Sequence, residues 1–247
     1  MSGTAASPLR RLARSLYRIP SPTYNHASHR NLVRFGREVR PQAGDANIRI
    51  LNLGGGGRPL PPEVGADAGD RTVVNLDIGR HTGVSCIGDA QRLPFASDAF
   101  TGVLSTAVLE HLPEPPAAIE EMTRVGQPGA LIYVEVPFMQ GFHASPDDYQ
   151  RFTRSGLSHL FRSHDEVDVG VCVGPSSALS WVLRGYVKGL LSGFSRRRQL
   201  ERLAEFVASW MTVPIKYLDA WVADRPAAED LASAFYVFAR VPRNRDG

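Results

Sequence analysis

A run of four glycines, Gly54 to Gly57, is the first feature of the chain that could bind a ligand. It directly follows IRILNL, Ile48 to Leu53, a short apolar run typical of a buried strand. Glycine at the end of a strand lets the backbone approach a ligand closely, because a Cβ atom there would collide with it. Glycine runs also occur in plain turns, so this stretch alone leaves both interpretations open.

The prolines that follow the glycines restrict the class of ligand. In the dinucleotide pattern GxGxxG the third glycine would fall at Pro59, and Pro61 and Pro62 leave too little room for a full helix before Thr72. A pyrophosphate needs the positive end of such a helix. No GK[ST] sequence offers a phosphate loop instead. The loop therefore suits a nucleoside without phosphates.

Asp77 indicates that this nucleoside contains a ribose. It lies at the end of TVVNLDI, the second predicted strand, about 20 residues after the glycines. At that offset an acidic side chain accepts hydrogen bonds from ribose hydroxyls.

A second group of chemically capable side chains lies in FHASPDDYQRFT, residues 142–153. The segment follows the fifth predicted strand, so we expect it to lie over the same cleft as the glycine loop. It contains an imidazole, two carboxylates, a phenol and a guanidinium, from His143, Asp147, Asp148, Tyr149 and Arg151. The alternative is a loop that satisfies itself, with Arg151 paired to Asp147 or Asp148.

No metal site is predicted. His26 and His29 lie on a helix of surface type, and the chain has no HExxH sequence. Cys86 and Cys172 are the only cysteines, which excludes a disulfide framework or a cysteine-rich zinc site and fits a reducing cytoplasm.

Strands that alternate with helices must position these residues. Seven strands are expected, at 48–53, 72–78, 83–88, 99–106, 130–138, 166–174 and 233–241. Helices are expected at 26–39, 115–126, 153–161, 177–193 and 197–223. This order predicts an α/β, Rossmann-like, mostly parallel seven-stranded sheet with helices on both faces. The predicted domain covers 41–247, with 175–232 as an inserted helical cap, after a basic leader and helix at 1–40.

Charge is unevenly distributed along the chain. The net charge is only +3, but residues 1–40 contain eight arginines and a single acid, Glu38. This arm could contact an acidic partner or an anionic membrane surface, or be a solvated leader.

The stretch Trp181 to Phe194, with Arg196 to Arg198 after it, could be a lid over the acceptor site, an interfacial helix or a helix packed against the sheet. No run of about 18 apolar residues is present, so a spanning helix is not expected.

Taken in order, the motifs resemble those of the class I S-adenosylmethionine-dependent methyltransferases with LPF and LEH signatures. The resemblance covers about residues 48–157. The segments that carry it are NLGGGG, the acid at the end of strand two, GDAQRLPF, STAVLEHLPEP and MTRVGQPGALIYVEVP. It implies S-adenosylmethionine as the cofactor and a set of residues around it: Asn52, Gly54, Gly55, Gly56, Asp77, Ile78, Asp89, Ala90, Ser105 and Thr106. Asp77 would hold the ribose and Asp89 the adenine amino group.

The resemblance also places candidate catalytic residues. His111 would lie beside the reaction centre as a general base, or would orient the loop through hydrogen bonds, and Glu110 would be structural. Similar methyltransferases of glycan-assembly clusters carry a pattern like that of residues 143–153, which implies a polar, hydroxyl-bearing acceptor. In that interpretation His143 and Tyr149 join His111 in catalysis, and Asp147, Asp148 and Arg151 bind the acceptor.

Methyl transfer from S-adenosylmethionine to oxygen of a small, sugar-type acceptor is therefore the expected function. Asn52 stands where the family usually has an acid, and Arg58 where it usually has glycine, so a non-catalytic binding or scaffold protein is the first alternative. A methyltransferase acting on nucleic acid, guided by the basic arm, is disfavoured because no D/NPPY-type sequence follows strand four. The third alternative is a methyltransferase that acts on a lipid-linked acceptor at a membrane surface. The expected location is the cytoplasm, with peripheral membrane contact as a further possibility.

Overall fold

The computed structural model describes residues 25–39, 47–56, 60–65, 71–192 and 198–244. Arg58 and most of the basic leader lie outside the described residues, as do Phe194, Arg196 and Arg197 of the predicted lid or interfacial segment. The helices are α1 (His26–Glu38), α2 (Pro115–Val125), α3 (Arg154–Leu160), α4 (Pro175–Ser192), α5 (Arg198–Tyr217) and α6 (Asp219–Val222). The strands are β1 (Ile48–Leu53), β2 (Arg71–Asp77), β3 (Cys86–Ile87), β4 (Phe100–Thr106), β5 (Gly126–Pro137), β6 (Asp165–Val173) and β7 (Ala234–Arg240).

The seven strands form one sheet in the order β3-β2-β1-β4-β5-β7-β6. Neighbours from β3 to β5 pair in parallel, and β7 runs antiparallel to both β5 and β6. The order of strands reverses at β1, whose neighbours are β2 and β4. In open α/β sheets, ligands bind outside the carboxyl ends of the strands at such a switch point. The predicted fold class is confirmed.

Alternate residues of the same strands pack on opposite faces of the sheet, as they must in extended backbone. Leu51 and Ile132 belong to a core cluster that also contains Met122 of α2 and Leu157 of α3. Their neighbours in sequence belong to a second cluster, which contains Phe35 of α1 together with Ile50, Leu131 and Tyr133. Both faces are therefore covered by helices, which is why these strands are apolar at nearly every position.

Helix α1 is part of this packed domain, although the predicted boundary at residue 40 placed it with the leader. Phe35 and Val39 are fully buried and contact the sheet. Arg34 also forms an ion pair with Asp168 of β6 at 2.6 Å. The domain therefore includes α1.

The helical segment between β6 and β7 differs from the prediction in one respect. The predicted helix at 197–223 is divided, because α5 ends at Tyr217 and α6 begins at Asp219. Asp219 accepts hydrogen bonds from the backbone N–H groups of Ser176 and Ser177, at 2.8 and 3.0 Å, and so caps the first turn of α4. The break thus provides the carboxylate that ties α6 to α4. Among the described residues, none of the helices combines the length and the apolar character needed to cross a membrane.

The carboxyl group of Glu135 on β5 provides a test of how burial of an acid affects the stability of the protein. The Tyr133 hydroxyl donates to its carboxyl group, and burial raises the pKa of Glu135 above its ordinary 4.5. A raised folded-state pKa means that ionisation opposes folding, so stability is lost as the pH rises from about 4.5. We expect Glu135→Gln, which keeps an acceptor for Tyr133, to raise the unfolding free energy at pH 8 and to change it little at pH 4. Urea unfolding at both pH values measures this.

Glu121 on α2 provides a control of opposite sign. Its hydrogen bonds from Arg124 lower its pKa, so its contribution to stability is present above pH 4.5 and is lost as the pH falls. Glu121→Gln should therefore destabilise the protein at pH 8 and have little effect in acid. The same pH dependence for both variants would contradict the assignment of Glu135.

Candidate cofactor and acceptor site

The glycine loop after β1 is fixed to the neighbouring strand β2. The N–H of Gly54 donates to the carbonyl of Leu76 at 2.8 Å, and the N–H of Gly56 donates to Oδ2 of Asp77 at 2.9 Å. Gly54 and Gly56 have φ values of 65° and 51°, a conformation that favours glycine. The structure therefore brings together the loop and the acid that the sequence assigned to one ribose.

The Asp77 carboxylate is held in place and can still accept further hydrogen bonds. Its Oδ1 accepts from the N–H of Gly79 at 2.9 Å, which leaves a second lone pair on each oxygen. A Cβ atom on Gly56 would meet only Asp77 among the described residues, at 3.8 Å. No other atom of the described residues outside the loop lies within 4 Å of that position, beside an anchored carboxylate that could bind a pair of sugar hydroxyls.

The predicted adenine contacts lie next to this carboxylate. Gly88 donates its N–H to the Asp77 carbonyl at 3.1 Å, which places the turn after β3 beside the end of β2. Asp89 in this turn is exposed and accepts from the N–H of Gln91 at 2.9 Å, and Ala90 is buried beneath it. Ile78 directly follows Asp77 and is 66% exposed, so it presents an apolar surface at the same edge of the sheet.

Two buried polar side chains near the ends of β1 and β4 have unsatisfied atoms. Asn52 donates to Oδ1 of Asn75 at 2.8 Å, but its own Oδ1 has no partner among the described residues. The Ser105 hydroxyl, next to half-buried Thr106, is likewise buried without a partner there. Buried polar atoms are normally hydrogen-bonded. The two side chains lie on opposite faces of the sheet, since Asn52 is in register with Leu104 and Ser105 follows it on the face of Leu53.

Glu110, His111 and His143 meet at the carboxyl ends of β4 and β5. The side chain of Glu110 is fully buried, and neither carboxylate oxygen has a hydrogen-bond partner among the described residues. The Nε2 atoms of His111 and His143 lie 3.8 and 3.6 Å from Oε1 of Glu110, just beyond hydrogen-bond distance. The two imidazole rings are 5.4 Å apart and nearly perpendicular.

The negative charge of Glu110 affects the nearer histidine. The contact with Glu110 raises the pKa of His143, burial opposes this, and the carbonyl of Gly141 raises it further. The Glu110 carboxylate therefore attracts positive charge to the space between it and the rings.

Asp148 and Arg151 pair with each other. Arg151 donates to both oxygens of Asp148, whose side chain is 1% exposed, and the guanidinium holds the pKa of Asp148 well below its usual range. Asp148 also accepts from the N–H of His143 at 2.8 Å. This geometry matches the self-satisfied alternative and gives the pair a role in holding His143. Their assignment to the acceptor stays a prediction.

Tyr149 and Asp147 are the members of the loop that face outward. Tyr149 is 55% exposed, and its hydroxyl donates to the Asp147 carboxylate at 3.2 Å. Trp181 of α4 covers the other side, with its ring 6.1 Å from that of His143. Trp181 of α4 therefore lies against the loop, and the role of the segment from Trp181 to Phe194 stays a prediction.

Two residues of this site were not predicted. Asn75 faces Asn52 in register across β1 and β2, and the signal was a polar residue inside each of two apolar runs. Val108 lies against the glycine loop, since a Cβ atom on Gly54 would fall 2.2 Å from its Cγ2. No sequence signal indicates that contact.

Comparison with known proteins gives a consistent picture. A family described as a methyltransferase domain matches residues 63–134, which begin after the glycine loop. A demethylmenaquinone methyltransferase of Mycobacterium sp. (strain KMS) is 36% identical over 92 residues, 35% of this chain and 40% of that protein. The chain thus matches less than half the length of this relative.

Solved structures show the same fold at low sequence identity. Phosphoethanolamine N-methyltransferase 2 of Haemonchus contortus, in complex with S-adenosyl-L-methionine, aligns with a TM-score of 0.55 at 13% identity, over 86% of this chain and 52% of its own. The 1,6-didemethyltoxoflavin-N1-methyltransferase of Burkholderia thailandensis, with bound S-adenosylhomocysteine, aligns with a TM-score of 0.51 at 14% identity, over 98% and 93%.

The strand order and the site at its switch point define the fold of the class I S-adenosylmethionine-dependent methyltransferases. Residues 63–134 match the methyltransferase-domain family. The predicted resemblance to this class is confirmed. The subgroup with the LPF and LEH signatures, and the methyl acceptor, stay predictions.

Proposed function

We propose that this protein transfers the methyl group of S-adenosylmethionine to a hydroxyl oxygen of a small polar acceptor. The observation that carries the proposal is the pairing of Gly56 with Asp77 at the switch point of the sheet. Asp77 would bind the ribose hydroxyls, and Ile78, Asp89 and Ala90 would hold the adenine. Asn52 and the segment that begins at Ser105 would lie near the methionine end of the cofactor, as the family resemblance implies.

The cofactor supplies a methyl carbon already activated by its sulfonium, so the residues of the chain mainly align the acceptor and exclude water. The acceptor is proposed to bind between the loop at 143–151 and helix α4. His111, His143 and Tyr149 are the side chains there that could take or hold the hydroxyl proton. Asp147 and Tyr149 present polar groups outward, which suits an acceptor rich in hydroxyls.

A different acceptor class is suggested by the similar Mycobacterium protein, which is named a demethylmenaquinone methyltransferase. A quinone acceptor would be apolar and lipid-like, and it corresponds to the membrane-surface alternative. Exposed apolar side chains on α4, at Leu179, Val182, Tyr186 and Leu190, are the feature that favours it. The non-catalytic alternative rests on Asn52, whose amide is already paired with Asn75.

The first test is cofactor binding. We expect S-adenosylhomocysteine to bind the purified protein with one-to-one stoichiometry in isothermal titration calorimetry, because the glycine loop and Asp77 are already in place. Absence of heat at high micromolar ligand would contradict the enzyme and favour the scaffold alternative.

Incubation with methyl-labelled cofactor then separates the acceptor classes. Mass spectrometry then compares three groups of acceptors: free glycans and other hydroxyl-bearing metabolites, a quinone in phospholipid vesicles, and RNA or DNA.

Deletion of the basic leader should leave methyl transfer to a small acceptor unchanged. That deletion must end before Asn25, because α1 belongs to the core.

A further inference from the structure

We propose that Glu110, His111 and His143 form a binding site for a divalent first-row transition metal ion. The three side chains each offer one ligand atom, and these atoms lie within 4.8 Å of one another. Ligands about 2.0–2.2 Å from a tetrahedral Zn²⁺ ion are about 3.4 Å apart. The nitrogen-to-oxygen separations of 3.6 and 3.8 Å are close to this value, and the two ring nitrogens, within 4.8 Å of each other, would have to move closer together.

The hydrogen bonds of the two rings identify which nitrogen faces the site. Nδ1 of His111 contacts the carbonyl oxygen of Asp147, and Nδ1 of His143 contacts the carbonyl oxygen of Gly141 at 2.9 Å. A carbonyl oxygen can only accept, so these contacts favour the proton on each Nδ1; at His143 the carbonyl at 2.9 Å is nearer than the Arg151 Nη2 atom, which lies 3.4 Å from the same nitrogen. In the neutral ring, each Nε2 then presents a lone pair towards Glu110.

A metal cation between these three atoms would satisfy all of them at once. Two neutral Nε2 atoms and a carboxylate are all hydrogen-bond acceptors, and they would face one another without a donor. Metal-binding histidines commonly donate their other ring N–H to a backbone carbonyl in this way, which fixes the tautomer and the orientation of the ring. The nearby Arg151 does not fill the gap, since its guanidinium donates to Asp148 and to the carbonyl of Gly141.

Burial strengthens the argument. An ionised carboxylate without partners is costly in the interior and is normally paired or coordinated to a metal. Glu110 is 0% exposed, whereas the side chains of His111 and His143 are 13% and 28% exposed. The carboxylate thus lies at the base of the site, and the histidines lie nearer its open side.

The ligand set selects the class of ion. Two imidazoles and one carboxylate suit zinc, iron, manganese or cobalt, whereas magnesium and calcium prefer oxygen ligands. Three protein ligands leave coordination positions open, as in catalytic sites.

The role inferred for the ion rests on the proposed function. With His111 and His143 bound to the ion, neither ring acts as a base; an acceptor hydroxyl bound at an open position would instead lose its proton to solvent more readily, because a bound cation lowers the pKa of an attached oxygen. The acceptor oxygen then forms a bond to the methyl carbon as the carbon–sulfur bond breaks, and the electron pair stays on sulfur. The products are the methyl ether, S-adenosylhomocysteine and one proton.

Metal binding is measured on the untagged full-length protein, with neither cofactor nor acceptor. After dialysis against chelator and then against buffer, the protein is titrated with Co²⁺, followed by its visible absorption, and with Zn²⁺ by calorimetry. We expect one equivalent to bind and to raise the melting temperature. Glu110→Gln and His143→Asn should each weaken binding by more than the roughly 10- to 100-fold that loss of an outer partner costs.

Two substitutions on exposed helix positions serve as matched controls, Glu120→Gln on α2 and His159→Asn on α3. They should bind Co²⁺ as the parent does. His143→Asn changes a side chain that is 28% exposed, so it should fold even if Glu110→Gln does not; circular dichroism checks both.

Absence of stoichiometric Co²⁺ and Zn²⁺ binding, or binding that His143→Asn leaves unchanged, would overturn the metal site. The contact would then be an ion pair between protonated His143 and Glu110. S-adenosylhomocysteine binding is measured separately on the same preparations. A chain that binds the cofactor but no metal contradicts only this inference, and a chain that binds the metal but no cofactor contradicts only the proposed function.

Discussion

Asp77→Ala should weaken the binding of S-adenosylmethionine and S-adenosylhomocysteine by roughly 100-fold or more. The carboxylate is expected to accept from two ribose hydroxyls, and a hydrogen bond to a charged group contributes about 1.5–3 kcal/mol. The substitution also removes the acceptor of the Gly56 N–H, at 2.9 Å, so among the described residues the glycine loop keeps only the hydrogen bond from Gly54 to Leu76. Calorimetric titration of both ligands measures the change in the dissociation constant.

Two variants separate the contribution of the ribose contact from that of the loop. Asp77→Asn keeps the shape and one acceptor oxygen, so it should lose less affinity than Asp77→Ala. His143→Ala changes the acceptor side of the cleft and should leave cofactor affinity within a few-fold of the parent. If Asp77→Ala and His143→Ala weakened cofactor binding equally, the division into a cofactor side and an acceptor side would be wrong.

The strands and the cofactor side could be predicted because their signals are local. Strands buried on both faces are continuous apolar runs, as at 48–53 and 100–106. A glycine turn at the end of one such run and an acid at the end of the next must meet when the strands pair in parallel. Asp77 and Gly56 therefore lie together as a direct consequence of the pairing of β1 with β2.

The acceptor side could not be predicted in the same way. Glu110 lies in a turn after β4 and His143 in a loop after β5, and their separation depends on how two irregular segments pack. The self-satisfied loop was foreseen as an alternative, but the sequence could not choose Asp148 over Asp147 as the partner of Arg151. In the structure Arg151 pairs with Asp148, which also accepts a hydrogen bond from the N–H of His143.

Helix breaks depend on tertiary contacts as well. The helical pattern at 197–223 continues through Leu218, but in the structure α5 ends at Tyr217 and α6 begins at Asp219. The Asp219 carboxylate caps α4. Capping satisfies N–H groups that a helix leaves without partners. A partner more than 40 positions away in the sequence leaves no periodic signal.

Gly54→Ala should destabilise the protein and disturb both sides of the cleft. The residue has a φ of 65°, a conformation that costs about 1–2 kcal/mol for an L-residue with a side chain. The new Cβ atom would also fall 2.2 Å from Cγ2 of Val108. With the cost of overpacking added, we expect a loss of about 2–4 kcal/mol in urea unfolding. Gly185→Ala on α4 is the matched control, because its Cβ would meet nothing within 4 Å among the described residues.

A second substitution, Val108→Ala, tests whether the overlap with Val108 causes the loss of stability in Gly54→Ala. It removes the overlapping methyl group, so the double variant should be more stable than the sum of the two single effects by about 0.5–3 kcal/mol. The carbonyl of Val108 accepts from the N–H of His111 at 2.9 Å, so a shift of Val108 also moves the turn that carries Glu110 and His111. Gly54→Ala should therefore weaken Co²⁺ binding as well as cofactor binding, and Val108→Ala should partly restore both. Additive effects in the double variant would show that the backbone conformation alone, and not this contact, requires glycine at position 54.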